Sequence, residues 1–319
     1  MLRYGIAGCG GIAKAHADAI AKTSGSKVVA VEDVLPESAE AMAEQLKCEW
    51  YADYQRFLSR DDMDAVVICT PHDLHVEQCV AAAEAGKHVL CEKPIATTLR
   101  GADSMISACR KAGVALMVGQ THRFYPENMK AWHMIRDGEI GEVISMTDSV
   151  LSRPAVGWRL SKRAAGGGIF MDNGVHVVDR LRWWSGCRVE SVSARIISKN
   201  PSAEVEDDGI AFLRFSKGVF GSFMLSRSTS GVSECSAKIV GTNGVLLIET
   251  WNALKVGREK WEDVPFDRSV GGFEAEHMEF QAAVAEGRPP SVTGEEGRRN
   301  LEVVLAIYES SRRNAEVTV

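Results

Sequence analysis

The sequence has no apolar run approaching the roughly 18 residues that a membrane span needs, no C-x-x-C pair, and no H-E-x-x-H spacing that would hold a metal. It has no internal repeat and no low-complexity segment. A bilayer-spanning chain and a metal-dependent site are therefore not expected. Met1 leads almost directly into a strand-like segment, without the basic stretch, apolar core and small-residue site of a secretory leader, and this predicts a cytoplasmic protein. Positive charge is in deficit, 37 Lys and Arg against 43 Asp and Glu for a net charge of −6, and no basic stripe is present. Attraction to nucleic acid or to an anionic membrane surface has no source in such a chain. The eight cysteines, at 9, 48, 69, 79, 91, 109, 187 and 235, sit mostly inside apolar runs. They read as small buried hydrophobes in a reducing compartment, not as a disulfide framework. A small-molecule partner is the expectation.

What is present is an ordinary globular composition, 45% hydrophobic and 25% charged over 319 residues, long enough for two domains. Up to residue 121 the chain alternates short apolar runs (4–7, 28–31, 65–70, 88–92 and 115–121) with Ala-, Glu- and Met-rich helical stretches such as 36–46, 73–85 and 99–112. Strands buried on both faces and separated by helices predict a doubly wound parallel sheet, an α/β domain over 1–121. Beyond 122 the texture changes. "GIAFLRF" (209–215) and "VFGSFML" (219–225) are joined by three residues, and "KIVGTNGVLLIE" (238–249) repeats the device, so hairpins and a mostly antiparallel sheet are expected in an α+β domain over 122–319. A helix is expected near 170–184, and two more after Phe273. The first hairpin carries apolar residues at both parities, Ile210 and Phe212 on one, Ala211, Leu213 and Phe215 on the other. One face can pack on helices; the other asks for a partner chain.

"GIAGCGGIAKAHADAI" (5–20) places Gly8, Gly10 and Ala13 as G-x-G-x-x-A between the first strand and a helix. The first glycine permits a tight turn, the second lets a pyrophosphate approach the backbone together with Gly11 and Ile12, and the small third residue lets helix and strand pack closely. A glycine turn alone is a weak signal, since many are merely structural. Here the next strand ends in Glu32 and Asp33, and Asp33 stands 20 residues after Ala13, where a carboxylate accepts hydrogen bonds from an adenosine ribose. No cation follows it in Val34, Leu35 or Pro36 to neutralise a 2′-phosphate. NAD is predicted over NADP.

Ligands of an open doubly wound sheet lie at the carboxyl ends of its strands. Two such ends deliver Thr70-Pro71 and Glu92-Lys93-Pro94, and each proline stops strand pairing. A lone lysine is usually a solvated charge, but at this position an ammonium can stabilise charge on a substrate oxygen. The second constellation, "GGGIFMDNGVHVVDRLRWW" (166–184), spaces Asp172, His176 and Asp179 along one helix face. A histidine there can take an alcohol proton while a carboxylate orients it; the plainer alternative is a capping Asp and a satisfied core histidine. Trp158, Arg159 and Arg163 in "SRPAVGWRLSKRAAGGG" offer a stacking surface and cations for a substrate, or equally an ordinary surface.

These stretches, with "VVICTPHDLHVEQCVAAAEAGKHVLCEKPIATT" and "VAEGRPPSVTGEEGRRNLEVVLAIYESS", resemble from end to end the glucose-fructose oxidoreductase, inositol dehydrogenase and rhizopine-catabolism superfamily of NAD(P)-dependent oxidoreductases. The resemblance implies that Lys93 contacts substrate and nicotinamide ribose, that His176 transfers the proton, and that Asp172 is its partner and a substrate ligand. It implies that Thr70, Pro71, His75 and Glu92 line the cofactor and that Arg123 stands where the chain leaves the nucleotide domain toward cofactor and substrate. The implied reaction is hydride transfer between nicotinamide and a secondary alcohol or ketone of a sugar, inositol or related polyol, by a homodimer or homotetramer. Some members of the family instead hydrolyse glycosides through transient oxidation, which retention of cofactor through purification would mark, and others sense dinucleotides without catalysis, against which Lys93, Asp172 and His176 together count.

Overall fold

A computed structural model describes residues 1–228 and 231–319, and they form two compact units. The first comprises Met1–Thr121 with Gly272–Arg298, the second His122–Gly271 with Arg299–Val319. The sequence reading divides the chain once, after 121; in the structure the segment 272–298 packs within the first unit. The reason is a set of contacts from far along the chain: Phe280 and His277 lie against the Tyr4 ring, and the Val118 amide donates to the Val292 carbonyl.

In the first unit β1 (Leu2–Ala7), β2 (Ser26–Glu32), β3 (Glu49–Tyr51), β4 (Ala65–Ile68), β5 (His88–Glu92) and β6 (Leu116–Gly119) form a parallel sheet in the order β3-β2-β1-β4-β5-β6. Ile6, Val66, Val67, Ile68, Val89 and Leu90 are fully buried in it, each worth about 1.5–3 kcal/mol relative to exposure. The order reverses between β1 and β4, so the loops after these two strands flank the crevice in which such sheets bind ligands. The helices at 36–46 and 99–112 have the predicted bounds, and local chemistry accounts for both. Pro36 opens one and Lys47, at φ 54°, closes it. Thr98 accepts the Gly101 amide at the start of the other, and Gly113, at φ 69°, ends it. The last apolar run stops at Gly119, and residues 121–124 form a 3₁₀ turn instead of more strand.

The second unit is built on β7 (Val143–Leu151), β8 (Val189–Ile197), β9 (Asp208–Phe215), β10 (Phe220–Ser226), β11 (Glu234–Gly241), β12 (Gly244–Glu249), β13 (Ala253–Gly257), β14 (Trp261–Asp263) and β15 (Val317–Thr318). Among the described residues these nine strands form one sheet, β14-β13-β12-β11-β7-β10-β9-β8-β15. Both hairpins expected from the sequence are present as β9–β10 and β11–β12. The β7–β10 pair is parallel, so the sheet is mixed, although mostly antiparallel. Alternation along β9 buries Ala211, Leu213 and Phe215 and exposes Ile210 and Phe212. No helix among the described residues is long and apolar enough to cross a membrane.

Candidate active site

The glycine turn divides its glycines between two tasks. Gly8 is held at φ +85° with a would-be Cβ 2.9 Å from the Cys69 backbone, so geometry and space both require glycine. A Cβ on Gly10 or Gly11 would meet nothing within 4 Å. The protein's own packing does not need glycine at these two positions, and the open space lies at the start of the 12-residue helix Gly11–Lys22, whose cap Gly10 supplies no side-chain acceptor. Backbone N–H groups are left for an external anion. Asp33 shapes the same turn, accepting the Cys9 amide at 2.8 Å and the Leu35 amide at 2.9 Å. The loop thus fits a dinucleotide pyrophosphate, with the Asp33 carboxylate beside it.

Glu32 beside it is only 2% exposed, and burial together with Asp33 and Asp53 pushes its carboxyl up to about 7. The folded state then holds a proton that an unfolded chain releases near the ordinary carboxyl value of 4.5, so stability falls as pH rises from about 4.5 to 7. A shift of that size is worth about 3 kcal/mol. Glu32→Gln is expected to remove most of this slope, raising Tm at pH 8 while leaving it nearly unchanged near pH 4.5; parallel Tm-against-pH curves for the two proteins would refute the assignment.

The strand ends after β4 and β5 are tied from beneath. His75, fully buried, places its ring nitrogens 3.0 Å from the Thr70 carbonyl and 2.9 Å from the Pro94 carbonyl. It braces both loops that the resemblance assigns to the cofactor from a position without solvent access. Thr70 donates its hydroxyl to Gln78 at 2.5 Å, and Pro71 is half-buried beside it. Glu92 accepts the Lys93 amide at 3.0 Å and contacts His16 Nε2 at 3.0 Å. Burial would raise the Glu92 carboxyl, but the His16 hydrogen bond and the Lys93 charge hold it below the usual range. Lys93 itself is half-buried at the end of β5. His16 continues to His277 at 2.9 Å, and Glu276, whose carboxyl is pushed well above the usual range by burial and by Glu92, accepts the Thr121 hydroxyl at 3.1 Å. The sequence reading missed His16 and Gln78; their polarity on apolar helix faces was the available signal.

In the second unit, residues 170–174 form a π turn that runs into the helix Val175–Ser185. The extra residue in that turn changes the facing of Asp172 relative to the ideal spacing. Asp172 meets Arg227, which also donates to Asn173, and lies 3.3 Å from Arg159. The Arg159 guanidinium sits 4.5 Å over the Trp158 ring, whereas Arg163 is exposed on a short helix. Asp179, expected on a face turned to a cleft, is instead fully buried, held bidentately by Arg123 at 2.6 Å and by Asn300 at 2.6 Å. Asp179 thus faces the interior, and the Arg123 Nε and Nη2 are held in an internal ion pair. His176 is 8% exposed and stacks face to face on His122, ring centroids 4.1 Å apart and planes 9° from parallel. His122, Arg227 and Arg180, none singled out in the sequence, stand around the two residues that were.

A glycine turn open to an anion, an acid at the next strand end and a lysine at the carboxyl end of β5, one strand from the switch, define a dinucleotide-dependent oxidoreductase. Residues 2–120 match the oxidoreductase family with an NAD-binding Rossmann fold, and residues 133–319 match that family's C-terminal alpha/beta domain. The chain belongs to this family, and its cofactor is NAD. It is 32% identical to the 1,5-anhydro-D-fructose reductase of Ensifer adhaerens over 98% of this chain and 96% of that one. It is 30% identical to the scyllo-inositol 2-dehydrogenase (NAD(+)) of Bacillus subtilis (strain 168) over 99% and 96%. A solved levoglucosan dehydrogenase in complex with NADH and L-sorbose superposes with a TM-score of 0.93 at 26% identity, covering 100% of this chain and 98% of that one.

Proposed function

We propose that the protein oxidises a secondary alcohol of a sugar, inositol or related polyol, or reduces the matching ketone, in the cytoplasm and as a homo-oligomer. The observation that carries the reading is the match to both domains of the oxidoreductase family, joined to a turn whose two open glycines and Asp33 suit a dinucleotide. Bound NAD supplies the hydride acceptor or donor. The residues of this chain handle the oxygen: the Lys93 ammonium donates to it and stabilises its developing negative charge, and His176 accepts its proton. Asp172, Trp158, Arg159 and Arg163 bind the substrate's other groups. A panel of sugars, inositols and sugar acids offered with NAD+, read by NADH absorbance, tests the proposal; no turnover with any polyol would overturn it.

Asp33 carries the cofactor preference, since its carboxylate repels a 2′-phosphate and accepts from a 2′-hydroxyl. Asp33→Ala is expected to narrow the preference for NAD+ over NADP+. Fluorescence titration of both dinucleotides measures it, and tighter NADP+ binding by the unaltered protein would contradict the assignment.

Assembly through the outer face of the second unit's sheet is supported by Ile210, Phe212, Phe220 and Met224, each 43–52% exposed. Met224 pairs directly with Ile210 across β9 and β10, and the Phe212 and Phe220 rings are 6.1 Å apart, so the four form one patch. Light scattering at micromolar concentration should give a multiple of 34.7 kDa, and Ile210→Glu with Phe212→Glu should reduce it. A monomer mass for the unaltered protein would count decisively against the interface.

A further inference from the structure

We infer that Asp148 and Arg180 hold His122 neutral, so that of the stacked pair His122 and His176 only His176 takes up a proton. The use of that order in catalysis rests on the role proposed above for His176; the order itself rests on the geometry alone.

The inference starts from an asymmetry of hydrogen-bonding groups. The Arg180 Nη1 meets His122 Nδ1, and a guanidinium has donors only. His122 Nδ1 must therefore present its lone pair, which leaves its proton on Nε2 and makes the ring neutral. Protonation at Nδ1 would set an N–H against an N–H. Arg180 cannot turn aside, because it is fully buried and spent on other partners. Its Nη2 donates to Asp148 at 2.7 and 2.6 Å, its Nε donates to the same carboxylate at 3.2 Å, and its Nη1 also reaches the Cys235 sulfur at 3.0 Å. Asp148 is 4% exposed and faces inward by the alternation of β7. Burial keeps the Cys235 thiol protonated, so it adds no charge of its own.

The His122 ring is fixed on its other sides as well. Tyr125 and Trp251 stand edge-on to it, with centroids 5.5 and 5.8 Å away, and the Trp251 amide is anchored on Glu127 at 2.6 Å. The charged and titratable groups facing His122 include Arg180 and His176 from the 175–185 helix, Tyr125 from its own segment, and Asp148 and Cys235 behind Arg180. Two imidazolium rings stacked at 4.1 Å would repel each other in a partly desolvated setting. With His122 pinned neutral, the pair has one site for a proton, and the neutral ring offers its π face to the cation that forms there. His122 is a positioning residue: it fixes the plane of His176 and directs the proton of a substrate hydroxyl to it.

The test is NMR of the full-length holoenzyme labelled with ¹⁵N in its histidine rings, over about pH 5.5 to 8.5, which brackets the unperturbed imidazole value near ~6.5. Signals are assigned with His122→Gln and His176→Asn. His122 Nδ1 is expected to keep a pyridine-type shift throughout, with its proton on Nε2, while His176 passes from neutral ring to imidazolium. In the paired variant Asp148→Leu with Arg180→Met, which leaves no buried charge behind, His122 should lose that signature and titrate near ~6.5. An Nδ1–H tautomer of His122, its protonation within the range in the unaltered protein, or an unchanged His122 spectrum in the paired variant would each overturn the inference. Near-normal turnover in His176→Ala overturns the catalytic use of the stack, and the spectra distinguish that failure from a failure of the proton order.

Discussion

His176→Ala is expected to lower kcat by about 10²–10⁴-fold, the usual cost of a lost general base, while NAD+ affinity stays nearly intact. The glycine turn lies wholly in the first unit and His176 in the second, so the substitution leaves that turn unaltered. Lys93→Ala should lose a similar factor, because an unstabilised alkoxide raises the same barrier, and should weaken nicotinamide placement too. If the two residues act as one unit on one oxygen, the double variant falls little below the worse single one. With the best substrate of the polyol panel, kcat/KM for alcohol oxidation should fall on the acid side as the base protonates. His176→Ala should lack that limb. Full turnover in this variant would mean that the proton leaves by another route, with Lys93 the first candidate.

Asp148→Ala is expected to destabilise the protein by about 3–5 kcal/mol, since it strands a buried cation. Arg180 has no exposure with which to recover solvent, and its charge is secured because Asp148 raises its pKa further even against burial. The loss corresponds to a Tm lower by roughly 6–20 °C for a unit of this size. Replacing both partners, Asp148→Leu with Arg180→Met, should restore most of the stability, because an apolar pair of similar volume avoids the desolvation cost that the ion pair bears. Thermal denaturation of the three proteins decides the matter. Equal Tm values for Asp148→Ala and the unaltered chain would mean that the pair contributes nothing.

What the sequence made legible was whatever is determined locally. The helix at 99–112 is bounded by its own Thr98 and Gly113, and the glycine turn announces itself by spacing within a single strand–helix junction. Lys93 and His176 could be picked out because they stand in motifs. Arg123 and Asp179 could not be understood that way: 56 positions apart, they form an internal ion pair that neither neighbourhood reveals. β7, at the centre of the second sheet, went unread because its inward positions include Asp148 beside Met146 and Val150, and a carboxylate breaks the apolar alternation by which a half-buried strand is recognised. Its acceptability depends on Arg180, which itself interrupts an apolar run in the helix. Each looks misplaced alone. The π turn at 170–174 escaped for a related reason, since one inserted residue leaves composition untouched and alters only the direction in which side chains point.

The return of residues 272–298 to the first unit sets a timetable for the chain as it leaves the ribosome. Domains generally fold as they emerge, amino-terminal first, yet here all six strands of the cofactor sheet are made before the helix that covers Tyr4 and pairs with His16 exists. Until that helix arrives, the His16 ring and the sheet surface beneath it face water or a chaperone. The second unit's sheet, apart from the short β15, is synthesised in the interval. Completion of the nucleotide-binding unit therefore waits on residues 272–298, and a ribosome stalled near residue 270 would display all six strands of the cofactor sheet without the helix that covers them.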